Sequence, residues 1–141
     1  EYTAIFERLG AASVRVVYTE HRDDADCQKA IRDIEESTGI FFTGGDQSRI
    51  VNFIKGSPLG DAIHQRHEAG AVIGGTSAGA AMMPDEMIVG GASVSHPSVD
   101  AVRLGSGMGF LPGIIIDQHF SQRGRLGRLL AALVLHPAVL G

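Results

Sequence analysis

AVIGGTSAGAAMM, residues 71–83, passes from an apolar stretch through two glycines to a serine and on into small and apolar residues. Gly75 stands two residues before Ser77 and Gly79 two after it, a G-x-S-x-G spacing. A chain that leaves an apolar strand and enters a helix through such a turn forms a nucleophile elbow. The glycines permit a strained turn, and the serine hydroxyl projects at the carboxyl edge of a sheet. Free amides at the start of the next helix favour developing negative charge, so the Ala78 N–H is an expected oxyanion donor. The competing reading makes Ser77 a plain helix N-cap after a glycine-rich turn.

The flanking sequence supplies the sheet. Residues 13–19 (SVRVVYT), 40–43 (IFFT), 71–75 (AVIGG), 87–91 (MIVGG) and 114–117 (IIID) read as strands, the last buried on both faces. Between the first two, DDADCQKAIRDIEESTG (23–39) carries acids at its start and Cys27, Ala30, Ile31 and Ile34 at helical spacing, with Gly39 as a stop. Cys27 is thereby assigned to core packing. Further helices are predicted over 48–55, over 59–69, from Ser77, and through RLGRLLAALVL (125–135); EYTAIFERLG reads as the end of a helix stopped at Gly10. This alternation predicts the α/β class, a mostly parallel sheet with helices on both faces in a three-layer sandwich.

Composition narrows the partners. With 141 residues, 44% hydrophobic and 20% charged, the chain suits one globular domain, 1–141. No apolar run approaches the roughly 18 residues that span a bilayer, so no membrane partner is expected; the start lacks a signal-peptide layout, which says little about a longer chain, and a cytoplasmic location is expected with a secreted full-length form as the open alternative. One cysteine excludes an internal disulfide and a cysteine-rich metal site, and no metal or cofactor is expected. The net charge of −4 makes nucleic acid a poor partner. Asp117 is the last acid, however, and Arg123, Arg125 and Arg128 follow it, leaving a local anion site open.

Two more segments carry candidate chemistry. FFTGGDQSR (41–49) follows a strand, and its paired glycines leave backbone N–H groups unobstructed at the same sheet edge. Gly45 is an expected second oxyanion donor and Gln47 an expected substrate contact; the plain alternative is a strand-to-helix turn with Asp46 or Ser48 as N-cap. Neither a Walker loop nor a dinucleotide fingerprint is present. In IIIDQHFSQRGRLGRLL (114–130), His119 falls just past a strand end, where a base able to take and return a serine proton is needed. His21, His64, His67, His96 and His136 lack such surroundings, and His64 with His67 reads as a solvated helix face. Leu126, Leu129, Leu130 and Leu133 define the expected buried stripe of the last helix, sending Arg125 and Arg128 to other faces. Arginines clustered at a helix start suggest a carboxylate ligand; ion pairs to Asp85 or Glu86 are the alternative.

GGDQ (44–47), GTSAGA (75–80) and DQHFSQRGRLGRL (117–129), in this order, resemble the cyanophycinases, relatives of peptidase E among the serine peptidases. The resemblance runs over nearly the whole chain. It implies a flavodoxin-like, class I glutamine amidotransferase-like α/β sandwich, often dimeric, that cleaves cyanophycin, a polyaspartate bearing arginines, into β-aspartyl-arginine dipeptides. By motif, Ser77 resembles the nucleophile and His119 its base. Gln47, Asp117, Gln118, Arg123, Arg125 and Arg128 resemble the substrate-binding set.

Departures from the pattern set further expectations. Family members are longer at both ends, and their histidine-orienting acid is a glutamate downstream of the arginine helix. The chain is therefore expected to be a fragment lacking the first strand and the C-terminal part, with that glutamate beyond Gly141. Residues 92–102 are read as a loop lining a specificity pocket. Two alternatives stay open: a peptidase E-like aspartyl dipeptidase, against which the arginine-rich element argues, and a non-catalytic module that binds anionic peptides.

Overall fold

In chain order the elements are α1 (Tyr2–Arg8), α2 (Gln28–Glu35), β1 (Gly39–Phe42), α3 (Gln47–Ile54), α4 (Pro58–Glu68), β2 (Val72–Gly75), α5 (Ala78–Ala81), β3 (Glu86–Gly91), β4 (Val102–Ser106) and α6 (Leu126–Leu135). The structure, a computed structural model, describes residues 1–92 and 98–141. β1 and β2 pair in parallel, from Gly39 opposite Val72 to Phe42 opposite Gly75, joined through α3 and α4. Parallel pairing requires such a crossover, because a tight turn can only reverse the chain. β3 and β4 form an antiparallel pair whose register shifts between Ile88 and Gly90.

Local chemistry fixes the helix starts. The Asp46 carboxylate accepts from the Ser48 and Arg49 amides at 2.8 and 3.1 Å, opening α3, and the Ser57 hydroxyl accepts from the Gly60 amide ahead of α4, whose first residue is Pro58. Leu59 and Ile63 of α4 pack with Ile34 of α2, Ile40 of β1, Met82 and Met108 in the larger apolar cluster. A smaller one joins Ile88, Val102, Ile115, Ala131 and Ala132, tying α6 to the antiparallel pair. Each large side chain removed from water contributes about 1.5–3 kcal/mol, so these clusters hold the two strand pairs in place.

Several sequence expectations are corrected. Residues 13–19 form no ladder; Val14 and Val17 are half-buried while Val16 and Tyr18 are exposed, and Arg15 ties the segment to α2 through Asp33 and Glu36 at 2.9 and 2.6 Å. In 114–117 only Ile114 makes a bridge, to Leu140, and of the three isoleucines only Ile115 is buried, so this stretch is not a strand covered on both faces. Cys27 is exposed: α2 begins after it, and its extended backbone (ψ 111°) takes its side chain off the apolar face. His64 and His67 are not a solvated face but lie against Phe110, with ring centroids 4.6 and 5.5 Å away. β4 arises in a stretch not read as a strand; of the expected loop 92–102, residues 93–97, which include His96, lie outside the described residues.

The stripe of α6 is also displaced. Leu126 is 54% exposed and Leu130 is exposed too, whereas Gly127, Arg128, Ala131 and Ala132 are buried. Small residues let α6 approach its neighbours closely, and the larger leucines are left outside or half-covered.

Candidate active site

Ser77 sits where β2 hands over to α5, with φ 55° and ψ −119°. A left-handed conformation at a residue with a Cβ costs on the order of 1–3 kcal/mol and persists only where the surroundings enforce it. Here the glycines do so. A Cβ at Gly75 would lie 2.5 Å from the Gly79 carbonyl oxygen, and one at Gly79 would collide with the Phe42 and Thr43 carbonyls at the end of β1. α5 is thus pressed against the carboxyl edge of the parallel pair, and the Thr76 amide extends the ladder by donating to Phe42 O at 3.1 Å. Ser77 makes no side-chain cap bond to α5, which removes the plain N-cap reading.

Its hydroxyl is engaged across the cleft instead. Ser77 Oγ lies 3.0 Å from His119 Nε2 and 2.6 Å from Gln118 Oε1. His119 is held at φ 50°, a second non-glycine residue in the left-handed region, so both partners of this contact are turned toward each other by unusual backbone. The Gln118 carboxamide reaches Gln47 Oε1 at 3.5 Å, and Gln47 Nε2 donates to the Ile88 carbonyl at 2.8 Å. Ala78, as the first residue of a one-turn helix, has an N–H with no intrahelical acceptor. Gly45 holds φ 140°, and Gly44 brings its backbone so close that a Cβ there would be 3.4 Å from Ser77 Cβ.

A cleft of about 250 Å³ meets the serine through its partner Gln118 and is lined by Gly45, Gln47, Gln118, Arg123, Arg125 and Arg128, with Asp46, Val89 and Gly90. Asp117 stands apart. Its side chain has no exposed surface, and it accepts from Arg128 Nε at 2.9 Å and from Arg128 Nη2, with Arg125 Nη1 3.7 Å away. Burial and its own arginines occupy the Asp117 carboxylate. Arg128 lies on the packed side of α6 because that pairing offsets the cost of burying it. Asp85 and Glu86 do not hold the arginines; Glu86 pairs with His136 at 2.8 Å.

Arg125 donates from Nη1 to the Gln118 carbonyl at 2.5 Å, while its buried Nε has no partner among the described residues. Burial first, then the charge of Arg128, pushes its guanidinium below the ordinary arginine value; Asp117 opposes this and Arg123 adds to it. A cation so crowded favours an incoming anion. Of the residues now seen at the site, Val89 and Gly90 were read only as part of a strand, since nothing in their local pattern marks a cleft wall. Gly44 was legible only as half of a glycine pair.

A model of peptidase family S51 matches residues 1–140. The chain belongs to that family. It is 43% identical over 144 residues to a cyanophycinase of Geminocystis herdmanii (strain PCC 6308), covering 99% of this chain and 52% of the relative. A cyanophycinase of Trichormus variabilis (strain ATCC 29413 / PCC 7937) is 39% identical over 141 residues, covering 99% of this chain and 47% of that one. The chain spans about half the length of the curated relatives it matches. Among solved structures, a peptidase from an acI-B1 Actinobacterium superposes with a TM-score of 0.68 at 19% identity, over 99% of this chain and 59% of that one. That likeness establishes the shared α/β peptidase fold of this S51 chain.

Proposed function

We propose that this S51 chain carries the nucleophile, base and anion cleft of a cyanophycinase, a serine peptidase that hydrolyses cyanophycin to β-aspartyl-arginine dipeptides. The observation that carries the reading is the 3.0 Å contact between His119 Nε2 and a serine hydroxyl on a strained elbow. In this reading Ser77 Oγ attacks the scissile carbonyl carbon while His119 Nε2 takes its proton. The oxyanion forms toward the Ala78 and Gly45 amides, and His119 returns the proton to the leaving amine. Water then hydrolyses the acyl-enzyme by the same route. Arg123 and Arg125 meet substrate carboxylates in the cleft, with Gln47 and Gln118 beside them. Arg128 and Asp117 act beneath them as a mutual pair. The histidine-orienting acid implied by the family resemblance is a glutamate downstream of α6. The resemblance also supports a homodimer, to be checked by light scattering; a cytoplasmic location is proposed besides, to be checked by fractionation.

The test is hydrolysis by the full-length protein of cyanophycin beside Asp-X dipeptides, in parent and Ser77→Ala. Loss of about 10³-fold or more with the fold intact is expected, since nucleophile and base fail together. Activity within tenfold of the parent refutes Ser77 as nucleophile, and a preference for Asp-X dipeptides replaces cyanophycin as substrate.

A further inference from the structure

Val89 belongs to the wall of the arginine cleft and also to the wall of a second hollow, of about 470 Å³, between α3 and the antiparallel pair. Ser48 and Asn52 of α3 and Lys55 at its C-terminal cap line one side, on a single helix face. Gly105 and Ser106 of β4 line the other, and a Cβ at Gly105 would meet Val89 Cγ1 at 2.7 Å, so the glycine is what lets Val89 lie across the floor. Among the described residues no acid lines this hollow. Lys55 Nζ gives two of its three hydrogens to Ser106 Oγ and the Gly107 carbonyl, both at 2.6 Å, and keeps one for a ligand. Arg103 stands where the two hollows meet. Its register partner is Gly90 of the cleft wall, where a Cβ would lie 2.5 Å from Arg103 Nη2, so the guanidinium rests on bare backbone. Neither Arg103 nor Lys55 has a carboxylate partner among the described residues.

We infer that this second hollow extends the cleft and takes the units of the polymer beyond the two that flank the scissile bond, with Arg103 and Lys55 on their carboxylates. This rests on the reading of the chain as a cyanophycinase. In a β-aspartyl-arginine unit the arginine amine is tied to the aspartate side chain, so every unit of the polymer presents one free carboxylate and one guanidinium. The two cations take the carboxylates. The Ser48 hydroxyl and the Asn52 carboxamide oxygen can accept from a guanidinium. From Ser48 to Lys55 the helix rises about 10 Å, the reach of about three residues of extended chain. A segment of polymer can therefore lie along this wall while its neighbouring units occupy the arginine cleft. A released dipeptide cannot fill both places at once, so the hollow favours polymer over product.

The test compares two substrates of the full-length protein: a two-unit peptide with one scissile bond, and a six-unit oligomer of the same repeat. Lys55→Met and Arg103→Met should each raise KM for the oligomer about three- to tenfold, the worth of one net hydrogen bond. KM for the two-unit peptide, kcat on both and fluorophosphonate labelling of Ser77 should stay as in the parent. Asn52→Phe, at an exposed helix position, fills the hollow without removing either cation and should act in the same way. It decides together with Arg103→Met should Lys55→Met not fold. Equal shifts in KM on both substrates, or none on the oligomer, overturn the inference. An unshifted KM with an altered oligomeric state in Asn52→Phe also overturns it and assigns the hollow to a second copy of the chain. A parent that cleaves neither substrate refutes the cyanophycinase reading, and the inference with it, an outcome distinct from these.

Discussion

Arg128 reaches both carboxylate oxygens of Asp117, two residues before the histidine of the site, and the pair is almost wholly out of water: Asp117 0% and Arg128 7% exposed at the side chain. Removing one member of a buried pair strands the other charge, at a cost of about 3–5 kcal/mol. Arg128→Met should therefore lower the unfolding free energy by that amount in urea titrations. Arg128→Met with Asp117→Leu should lose less than the single variant, because the fully buried carboxylate goes with its partner and only Arg125, 3.7 Å from it, loses a neighbour. A double variant no more stable than the single one would contradict the account.

Ser77 stores strain that glycine would not. At φ 55° a Cβ is disfavoured, and the hydroxyl makes no cap bond whose loss would offset relief of that strain. Ser77→Gly is expected to raise stability by up to about 1 kcal/mol while abolishing labelling by a fluorophosphonate. Melting curves and labelling of the same preparation check both. A lowered melting temperature would mean that the Ser77 contacts to Gln118 and His119 outweigh the strain.

How far the sequence foretold this site depended on whether each signal was local. The elbow was legible because Gly75, Ser77 and Gly79 lie within five residues and their steric roles do not need a distant partner. The pairing of Asp117 with Arg128 was not, since charge alone does not say whether an arginine faces a ligand or turns inward to an acid eleven residues earlier. In α6 the reading weighted Leu126 and Leu130 by hydrophobicity, whereas Gly127, Ala131 and Ala132 decide which side can come close. Cys27 was misplaced by a boundary: the helix begins only at the residue after it, which leaves it outside the stripe. β4 escaped because its partner, β3, is needed to make a strand of a stretch interrupted by Gly105.

Asp33 joins α2 to the N-terminal segment, accepting from Lys29 at 2.6 Å and from Arg15 at 2.9 Å. The Lys29 hydrogen bond first, aided by the Lys29 charge and by Arg15, holds its carboxyl below the ordinary aspartate value of 3.8, against a smaller opposing effect of burial. A depressed acid contributes stability above its unfolded value and loses it as pH falls through the folded one. Asp33→Asn should therefore melt below the parent at neutral pH, with the gap closing as pH drops below about 3.8. A gap that stays constant down to acid pH would assign the effect to packing.

The three arginines are unequal probes of the anion cleft. Arg128 is committed to Asp117, and Arg125 also holds the Gln118 carbonyl, so replacing either perturbs structure together with binding. Arg123 lines the same cleft while exposed. Arg123→Lys keeps the charge and removes the planar fork, so affinity for the β-aspartyl-arginine dipeptide should fall about three- to tenfold with the melting temperature unchanged. Arg125→Lys should instead lower both, because the shorter-reaching ammonium cannot serve the Gln118 carbonyl and a ligand carboxylate in the same geometry. Calorimetric titration of the dipeptide beside a melting curve for each variant supplies both quantities. Unchanged affinity in Arg123→Lys would remove that residue from the carboxylate site and leave the ligand carboxylate to Arg125.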